Sequence, residues 1–252
     1  MDTEKCIIVS DLYKEYRKGF SSSGKKVLKG LSISVRKGEI YGLIGRNGAG
    51  KTTLLKCISG LVVPSSGKIE ILGAREESEL CIVRNKIGAL INKPALDPDM
   101  SARENLNISA MRRGISCRDI NKALDDVGLY NESNVDLDNK VRICSTGIKQ
   151  RLGIAMAVMG KPDIVILDEP LNGLDPDGVS EIHELIMKMN NRGVTFVISS
   201  HLLRELDQVA TRYGIIKNGT VLAEITSREL KEKGISLEDY YKMITGKNKC
   251  SD

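Results

Sequence analysis

Apolar positions follow strand-like spacing through the first quarter of the chain. Residues 6–12 are predicted to form a strand, and residues 27–35 alternate apolar and polar side chains, as a half-buried antiparallel strand does. A polar, glycine- and serine-rich loop is predicted between them at 17–26. The apolar run 40–44 and the glycine-bounded stretch 67–73 are each predicted to be a further strand. Material for a β-hairpin therefore precedes the strand at 40–44.

The middle of the chain changes to helical spacing after the apolar stretch 87–91. A Ser-x-x-Glu capping box at 101–104 opens a predicted helix that runs to Arg113, where a glycine follows. Apolar residues between 120 and 127 then recur with the spacing of one helix face. Residues 92–145 are therefore predicted to form a helical insert.

Strand and helix patterns alternate again in the last third of the chain. The uninterrupted apolar run 164–167 is typical of a parallel strand buried on both faces. The Asp-Pro pair at 175–176 supplies an N-cap and a first helical residue. A strand at 194–199, a helix at 202–210 and a hairpin with an Asn-Gly turn at 215–222 are predicted to follow.

These patterns together predict one α/β domain with a mainly parallel sheet, an N-terminal antiparallel β subdomain and an inserted helical subdomain. The core is predicted at 1–91 and 146–226, with the insert at about 92–145 between its two parts. A Thr-x-x-Glu capping box opens a C-terminal helical segment at 227–246. The domain thus spans 1–246, and residues 247–252 are predicted to be a flexible tail.

Composition excludes several classes of protein. The 252 residues are 41% hydrophobic, but no apolar run approaches the length of about 18 residues needed to span a bilayer, so a soluble chain is expected. The six cysteines include no Cys-x-x-Cys pair and are expected to be reduced thiols. A net charge of +5 suits an anionic ligand. Because the charge is diffuse and the chain has no Trp and two Phe, no nucleic-acid partner is expected.

Residues 45–53, Gly-Arg-Asn-Gly-Ala-Gly-Lys-Thr-Thr, match the phosphate-binding P-loop pattern between the strand at 40–44 and a predicted helix at 54–58. Glycines let backbone N–H groups surround an anion, and the helix N-terminus adds its dipole. Lys51 is expected to reach the β- and γ-phosphates, and the Thr52 hydroxyl to bind Mg²⁺. Glycine-rich turns are common, but not with this spacing and a Lys-Thr pair. The predicted nucleotide-binding residues here are Gly45, Asn47, Gly48, Gly50, Lys51, Thr52 and Thr53.

Two carboxylates, Asp168 and Glu169, follow the buried strand at 164–167 directly. Asp168 is predicted to hold Mg²⁺ through water, and Glu169 to polarise an attacking water as general base. The plainer interpretation, two surface acids after a strand, leaves unexplained why an apolar strand ends on both of them.

With these motifs in order, the chain resembles the ATP-binding subunit of an ABC transporter over nearly its whole length. Residues 144–151 resemble the family's signature segment, usually Leu-Ser-Gly-Gly-Gln, and Asn172 to Asp175 match the D-loop. His201 stands where the family has its switch histidine, whereas His183 is interpreted as structural. Tyr16 falls where an aromatic ring stacks on adenine, although nearby Tyr13 could be that ring instead.

The resemblance implies the ABC ATPase fold, ATP as ligand, and two subunits joined head to tail as a homodimer. Ser145 and Gly147 would bind the γ-phosphate held by the opposite subunit, since they open a helix whose N–H groups can receive an anion. Asp175 would lie at the same shared site. The signature departs from the usual residues at three positions, which are Cys144, Thr146 and Ile148.

Asn92 is a further departure, because the family usually places Gln or Glu after the strand at 87–91. There the side chain reaches Mg²⁺ and the attacking water, so Asn92 is predicted as a catalytic residue and metal ligand with a shorter reach. Asn is also a natural turn former, and the position could serve only as a turn before Lys93 and Pro94.

The segments 93–96, 100–106 and 145–155 look like those of bacitracin-resistance and lantibiotic-immunity exporters. That resemblance implies a Mg²⁺-dependent ATPase at the cytoplasmic face of the membrane, bound to integral permease subunits and powering export of an antimicrobial peptide. A soluble ABC ATPase acting on ribosomes or nucleic acid is the alternative, although such relatives usually carry two modules or a long coiled coil. A different P-loop enzyme, such as a small-molecule kinase, would leave the signature and the D-loop without a role.

Overall fold

The computed structural model describes residues 4–17, 24–130 and 136–246, and its fold is mixed α/β with an antiparallel subdomain. Two compact units divide the chain: the first holds residues 1–84 and 197–252, and the second holds 85–196. The helical insert predicted at 92–145 lies inside the second unit, and its separation as a subdomain stays a prediction. The predicted tail at 247–252 lies outside the described residues.

The first unit contains an antiparallel sheet and a second set of strands around the phosphate-loop helix. Strand β1 pairs antiparallel with β2 on one side and β4 on the other, while β3 pairs parallel with β8, and β8 antiparallel with β9. The elements are β1 Lys5–Tyr16, β2 Lys25–Arg36, β3 Ile40–Ile44, α1 Lys51–Ile58, β4 Ser66–Ile71, α2 Glu77–Val83, α7 Leu203–Val209, β8 Arg212–Lys217, β9 Thr220–Thr226, α8 Ser227–Lys233 and α9 Leu237–Thr245.

The second unit combines helices with a parallel strand pair, β5 and β6. Its elements are β5 Ile87–Leu90, α3 Ala102–Arg113, α4 Cys117–Asp126, α5 Thr146–Val158, β6 Ile164–Asp168 and α6 Pro176–Asn190, and the boundary with the first unit falls within β7 Thr195–Ser200. Strand β6 is buried at every position, as its continuous apolar sequence predicts. Helix α5 packs closely on β5, because a Cβ on Gly88 would collide with the Ala157 carbonyl oxygen.

The predicted helix caps and the predicted hairpin turn, which depend on residues close together in the sequence, are confirmed. Ser101 and Glu104 form the predicted capping box of α3, which ends at Gly114 in the left-handed conformation. The Asp175 side chain caps α6, with Pro176 as its first residue. The Asn218-Gly219 turn between β8 and β9 has φ values of 53° and 86°, as a two-residue hairpin turn of this type requires.

Several boundaries differ from the sequence prediction, and the largest difference is at β1, which continues to Tyr16 rather than ending at residue 12. Strand β2 begins at Lys25, so the loop predicted to run to residue 26 ends earlier. Strand β5 ends at Leu90, one residue before the predicted end. The C-terminal segment consists of two helices, since Gly234 in the left-handed conformation ends α8. Within 4–17, 24–130 and 136–246, no helix is both long and apolar enough to cross a membrane.

Candidate functional site

The loop between β3 and α1 has the backbone that an anion cradle needs. Gly48 and Gly50 have φ values of 80° and 113°, which L side chains adopt only with strain, and Gly50 caps α1 without any side-chain hydrogen bond. Position 45 has no room for a larger side chain, because a Cβ on Gly45 would lie 2.5 Å from the Ile216 carbonyl oxygen. Because no N-cap side chain occupies the start of α1, the loop's shape suits an anionic ligand at this helix N-terminus.

Lys51 is held inside this loop. Lys51 is 6% exposed, and its Nζ donates to the Gly45 carbonyl oxygen at 2.7 Å. This hydrogen bond holds the ammonium group against the start of the loop. Thr52 and Thr53 are half-buried in the first turn of α1 behind it, and Asn47 is exposed at the loop's tip. The predicted nucleotide-binding residues of this loop thus occur together on one strand–loop–helix unit.

The hairpin turn between β8 and β9 is hydrogen-bonded to the same loop, a contact that the sequence did not indicate. Gly219 N–H donates to the Ala49 carbonyl oxygen at 2.9 Å, and the Gly219 carbonyl accepts from Lys29 N–H at 2.9 Å. A Cβ on Gly219 would lie 2.2 Å from the Val27 carbonyl oxygen, so only glycine fits there. The only signal in the sequence was the Asn-Gly turn, which specifies a hairpin but not what the hairpin touches.

His201 shares a cavity with the phosphate loop. The cavity holds about 630 Å³ and is lined by residues 44–49 together with His201, Leu203, the end of β8 and two residues of α9, Tyr241 and Thr245. Lys217 Nζ donates to the Thr245 carbonyl oxygen at 3.1 Å and so ties the end of α9 to this wall. His201 and the loop therefore line one cavity. The sequence did not suggest that α9 would also line it.

Tyr13 and Tyr16 both lie exposed on β1, at 45% and 39%. A Cβ on Gly30 would lie 2.8 Å from the Tyr13 hydroxyl, so that ring already packs on β2. Lys14 Nζ lies 5.1 Å from the centre of the Tyr16 ring, where a cation and an aromatic face attract. Tyr16 pairs with Lys25, two residues before the Val27 carbonyl that borders Gly50. Tyr16 therefore remains the better candidate for adenine, as a prediction.

In the second unit, Asp168 is the last residue of strand β6 and Glu169 follows it. Asp168 is 3% exposed, and its Oδ2 accepts from the Asn92 backbone N–H at 3.4 Å. Glu169 has φ 50°, a left-handed conformation that costs a non-glycine residue energy and turns the chain sharply after the strand. The two adjacent carboxylates therefore differ, since one is fixed in the strand and the other sits on a strained turn.

Gln150, to which the sequence interpretation gave no role, holds that turn. It is 8% exposed on α5, and its Nε2 donates to the carbonyl oxygens of Pro170 at 2.8 Å and Glu169 at 3.3 Å. Its only signal in the sequence was its place in the signature phrase at 145–155.

Asn92 takes the turn conformation that its residue type favours. Its φ is 64°, in the left-handed region that Asn tolerates better than most side chains, and it is exposed. The loop behind it packs on α5, because a Cβ on Gly153 would lie 2.5 Å from Pro94 Cγ. The structure places Asn92 beside Asp168 through its backbone, and the metal-binding and catalytic roles of its side chain stay predictions.

The signature segment forms the N-terminus of α5. Ser145 caps the helix, since its Oγ accepts from Ile148 N–H at 3.2 Å, and it is exposed. Acidic side chains occupy the first turn of every described α-helix except α1 and α5. Acids at that place stabilise a helix and would repel an anionic ligand. The two helices without them are the two predicted to bind phosphate.

The predicted D-loop touches this segment. A Cβ on Gly147 would lie 3.2 Å from the Gly173 carbonyl oxygen, so the signature glycine and residues 172–175 are neighbours. Asp175 itself caps α6 by accepting from Gly178 N–H at 2.9 Å and lies 3.7 Å from Arg151 Nη2. Arg151 Nη1 bonds Glu181 Oε2 at 2.6 Å. Asp175 therefore caps a helix and lies near the buried Arg151, and its contact with the nucleotide stays a prediction.

The remaining candidates are structural. His183 is buried in α6, in agreement with its interpretation as a core residue. The five described cysteines form no disulfide. Burial raises the pKa of the Cys57 thiol in α1 to about 11, which keeps it protonated and unreactive near neutral pH.

A model of the ABC transporter family matches residues 28–172. A bacitracin transport ATP-binding protein, BcrA of Bacillus licheniformis, is 41% identical over 229 residues, 90% of this chain and 72% of the relative. A lantibiotic transport ATP-binding protein, SrtF of Streptococcus pyogenes, is 39% identical over 216 residues, 86% of this chain and 89% of the relative. Both names include the word transport, which the phosphate loop alone could not have indicated.

Among solved structures, a dimeric ATP-binding cassette, MJ0796 in a post-hydrolysis state bound to ADP and Pi, resembles this chain with a TM-score of 0.78. It is 26% identical, and the likeness covers 88% of this chain and 99% of that one. That cassette is a dimer with ADP and Pi bound.

Proposed function

The chain belongs to the ABC transporter family, and we propose that it is the ATP-hydrolysing subunit of an exporter that removes a membrane-active peptide antibiotic. ATP binding and hydrolysis follow from the family. The exported class is inferred from relatives whose names specify bacitracin and lantibiotic transport. A separately encoded permease is part of the proposal, because no described helix of this chain could cross a membrane.

The observation that most supports the proposal is that two helices, α1 and α5, have no acidic residue in their first turn. The loop before α1 combines glycine turns, a helix N-terminus without a capping side chain and the buried Lys51, and so suits the triphosphate of ATP. The N-terminus of α5 begins on exposed residues, which suits completion of a site whose nucleotide is held by a second copy. We infer that ATP joins two copies head to tail.

The carboxylates after β6 are assigned to hydrolysis. Glu169 would accept a proton from water as that water attacks the γ-phosphorus, and His201 would steady the γ-phosphate by hydrogen bonding. Oxygen donors suit Mg²⁺, and the buried Asp168 carboxylate, the Thr52 hydroxyl and the Asn92 amide are the proposed holders. When bound, the ion neutralises charge on the phosphates. Hydrolysis would then separate the two copies.

The assignment of Glu169 is tested by Glu169→Gln. The amide keeps the shape but cannot take a proton, so turnover should fall by roughly 10²- to 10⁴-fold while ATP binding survives. The variant should also accumulate as an ATP-bound dimer in size-exclusion chromatography. Glu184→Gln on the exposed face of α6 is the matched control and should retain the parent rate. Near-normal turnover of Glu169→Gln would place the base elsewhere.

The transport assignment is tested by affinity purification from detergent-solubilised membranes. Recovery of a stoichiometric multispan membrane protein, whose addition raises the ATPase rate, is expected. Cells that carry both chains should survive a higher bacitracin or lantibiotic concentration than cells whose chain carries Glu169→Gln. Recovery with ribosomes instead would favour the soluble alternative.

A further inference from the structure

Gln150 makes an unusual pair of contacts for a buried amide. It belongs to α5, whereas the two carbonyl groups that it contacts belong to the turn after β6, nearly twenty residues later in the chain. Its Nε2 donates to the Pro170 oxygen at 2.8 Å and to the Glu169 oxygen at 3.3 Å. A single NH₂ group therefore spans two consecutive peptide carbonyls on either side of the Glu169–Pro170 bond.

The turn that Gln150 contacts needs support. Glu169 has φ 50°, and a glutamate has neither the freedom of glycine nor the local hydrogen bonding that lets asparagine adopt this region. Such conformations persist only where surrounding structure imposes them. Pro170 has no N–H, so it cannot contribute a backbone donor to the turn. Within the turn, the Asn172 N–H donates to the Glu169 carbonyl oxygen at 3.4 Å, and Gln150 adds a donor to each of the two carbonyls from outside the turn.

An apolar side chain could fill the same space. Gln150 is itself buried, and α5 is apolar and buried from Leu152 to Ala155, so packing alone would allow leucine at this position. Leucine would leave the Pro170 carbonyl without the donor it has now. An amide at this place is explained by the carbonyls it meets rather than by the volume it fills.

We propose that Gln150 is a positioning residue for hydrolysis, which fixes the turn that aims the Glu169 carboxylate. Because α5 begins at Ser145, the same helix joins the phosphate contact proposed for the opposite subunit's nucleotide to the base of its own subunit. A shift of α5 on phosphate binding would move Gln150 and, through the two carbonyls, Glu169. This inference rests on the proposed role of Glu169 as general base.

The first test is Gln150→Leu, which keeps the volume and removes both donors. Turnover should fall roughly 10- to 100-fold, since an error of about 1 Å in aim can cost that much. KM for ATP and binding of a non-hydrolysable ATP analogue should stay within about twofold, because the phosphate loop is untouched. Gln208→Leu, at an exposed site on α7 and the only other glutamine of the chain, is the matched control.

The second test separates positioning from general damage. In the Glu169→Gln background, where there is no base to aim, Gln150→Leu should lower the single-turnover rate by less than about twofold. A full 10- to 100-fold further loss would show that Gln150 acts independently of Glu169 and would overturn the proposal. Parent-like turnover of Gln150→Leu would overturn it as well, whereas parent-like turnover of Glu169→Gln would instead overturn the base assignment on which it rests.

Gln150→Glu adds a second readout, the pH dependence of the rate, which a change in packing would not produce. This variant also tests the proposal if the leucine variant fails to fold. An ionised carboxylate would face two carbonyl oxygens and be repelled, whereas its protonated form can donate one hydrogen bond to Pro170. The rate of this variant relative to the parent should therefore rise severalfold as pH falls from about 8.5 to 6, since burial and the carbonyls raise a carboxyl pKa. A pH-independent ratio would overturn the proposal.

Discussion

Two helix N-termini, those of α1 and α5, offer backbone N–H groups to an anion in different ways. Helix α1 follows a glycine loop, is capped by the backbone of Gly50 without any side-chain bond, and encloses the 6%-exposed Lys51. Helix α5 is capped by the Ser145 hydroxyl and opens on exposed residues. Neither has an acid in its first turn.

The difference shows what a complete anion site requires. At α1 the helix N-terminus, the glycine turns and an internal cation together can hold a phosphate chain. At α5 the serine already satisfies one of the helix's own donors, so the remaining groups contribute only part of a binding site. We therefore expect changes at α1 to weaken ATP binding, and changes at α5 to reduce hydrolysis while ATP binding is kept.

Among changes at these two helices, the largest effect is expected from Ser145→Arg. The bulky side chain removes the cap and fills the place where the opposite copy's phosphate would lie, so turnover should fall by roughly 100- to 1,000-fold, the usual cost of losing one preorganised donor. ATP affinity of the isolated chain, measured by calorimetry, should be nearly unchanged. Ser116→Arg is the matched control, because Ser116 caps α4 through the same bond to the third residue.

A mixture of variants tests whether the site is shared. Ser145→Arg chains combined with Lys51→Ala chains can form one composite site from the intact halves, but not two. The mixture should recover part of the activity that each variant lacks alone. A rate per chain that does not depend on protein concentration, in a strictly monomeric parent, would contradict the shared site.

A second effect, in binding rather than rate, is expected from Lys51→Met. Loss of a hydrogen bond to a charged group costs about 1.5–3 kcal/mol, so ATP affinity should fall by roughly 10- to 100-fold. Lys56→Met, in the last turn of the same helix, is the control and should bind ATP normally. Equal losses in the two variants would show that general charge, rather than the enclosed ammonium, holds the nucleotide.

A severalfold effect is expected from Asn92→Gln, in the loop that packs on α5. The longer amide can reach Mg²⁺ and water where Asn92 cannot, so the isolated chain should hydrolyse ATP severalfold faster and the permease should stimulate it less. Thermal stability should fall, because glutamine tolerates φ 64° less well than asparagine. If Asn92→Gln and Asn92→Ala both match the parent with and without permease, the residue serves only as a turn.

The smallest effect is expected from Thr146→Asp, which gives α5 the acid that the other described α-helices except α1 carry. The added charge should stabilise the helix by about 0.3–1 kcal/mol and raise Tm by about 1–4 °C. The same charge should weaken ATP-dependent dimerisation, measured by light scattering, because it repels the incoming phosphate. Thr146→Asn should change neither. Unaltered dimerisation in the aspartate variant would show that the acid-free turn has no functional meaning.

The sequence by itself specified the parts of both sites whose bonds are local. The glycine spacing of residues 45–53 predicts the loop before α1, and the Ser-x-x-Glu box at 101–104 predicts the start of α3, because each depends on backbone angles or on bonds between residues a few positions apart. The apolar run 164–167 likewise predicts a buried strand that ends at two carboxylates. The helix break at Gly234 was missed because the segments on both sides of it share helical composition.

Only the tertiary structure decided which distant groups meet. Gln150 reaches the carbonyls of Glu169 and Pro170, and Gly219 donates to Ala49 across 170 positions of sequence. The cavity that joins His201 to the phosphate loop also includes Tyr241 of α9, which no pattern indicated. A residue's spacing along the chain fixes the element and the face on which it lies. The neighbours of that face are set by how whole elements pack, which depends on the shape and burial of side chains far apart in the chain.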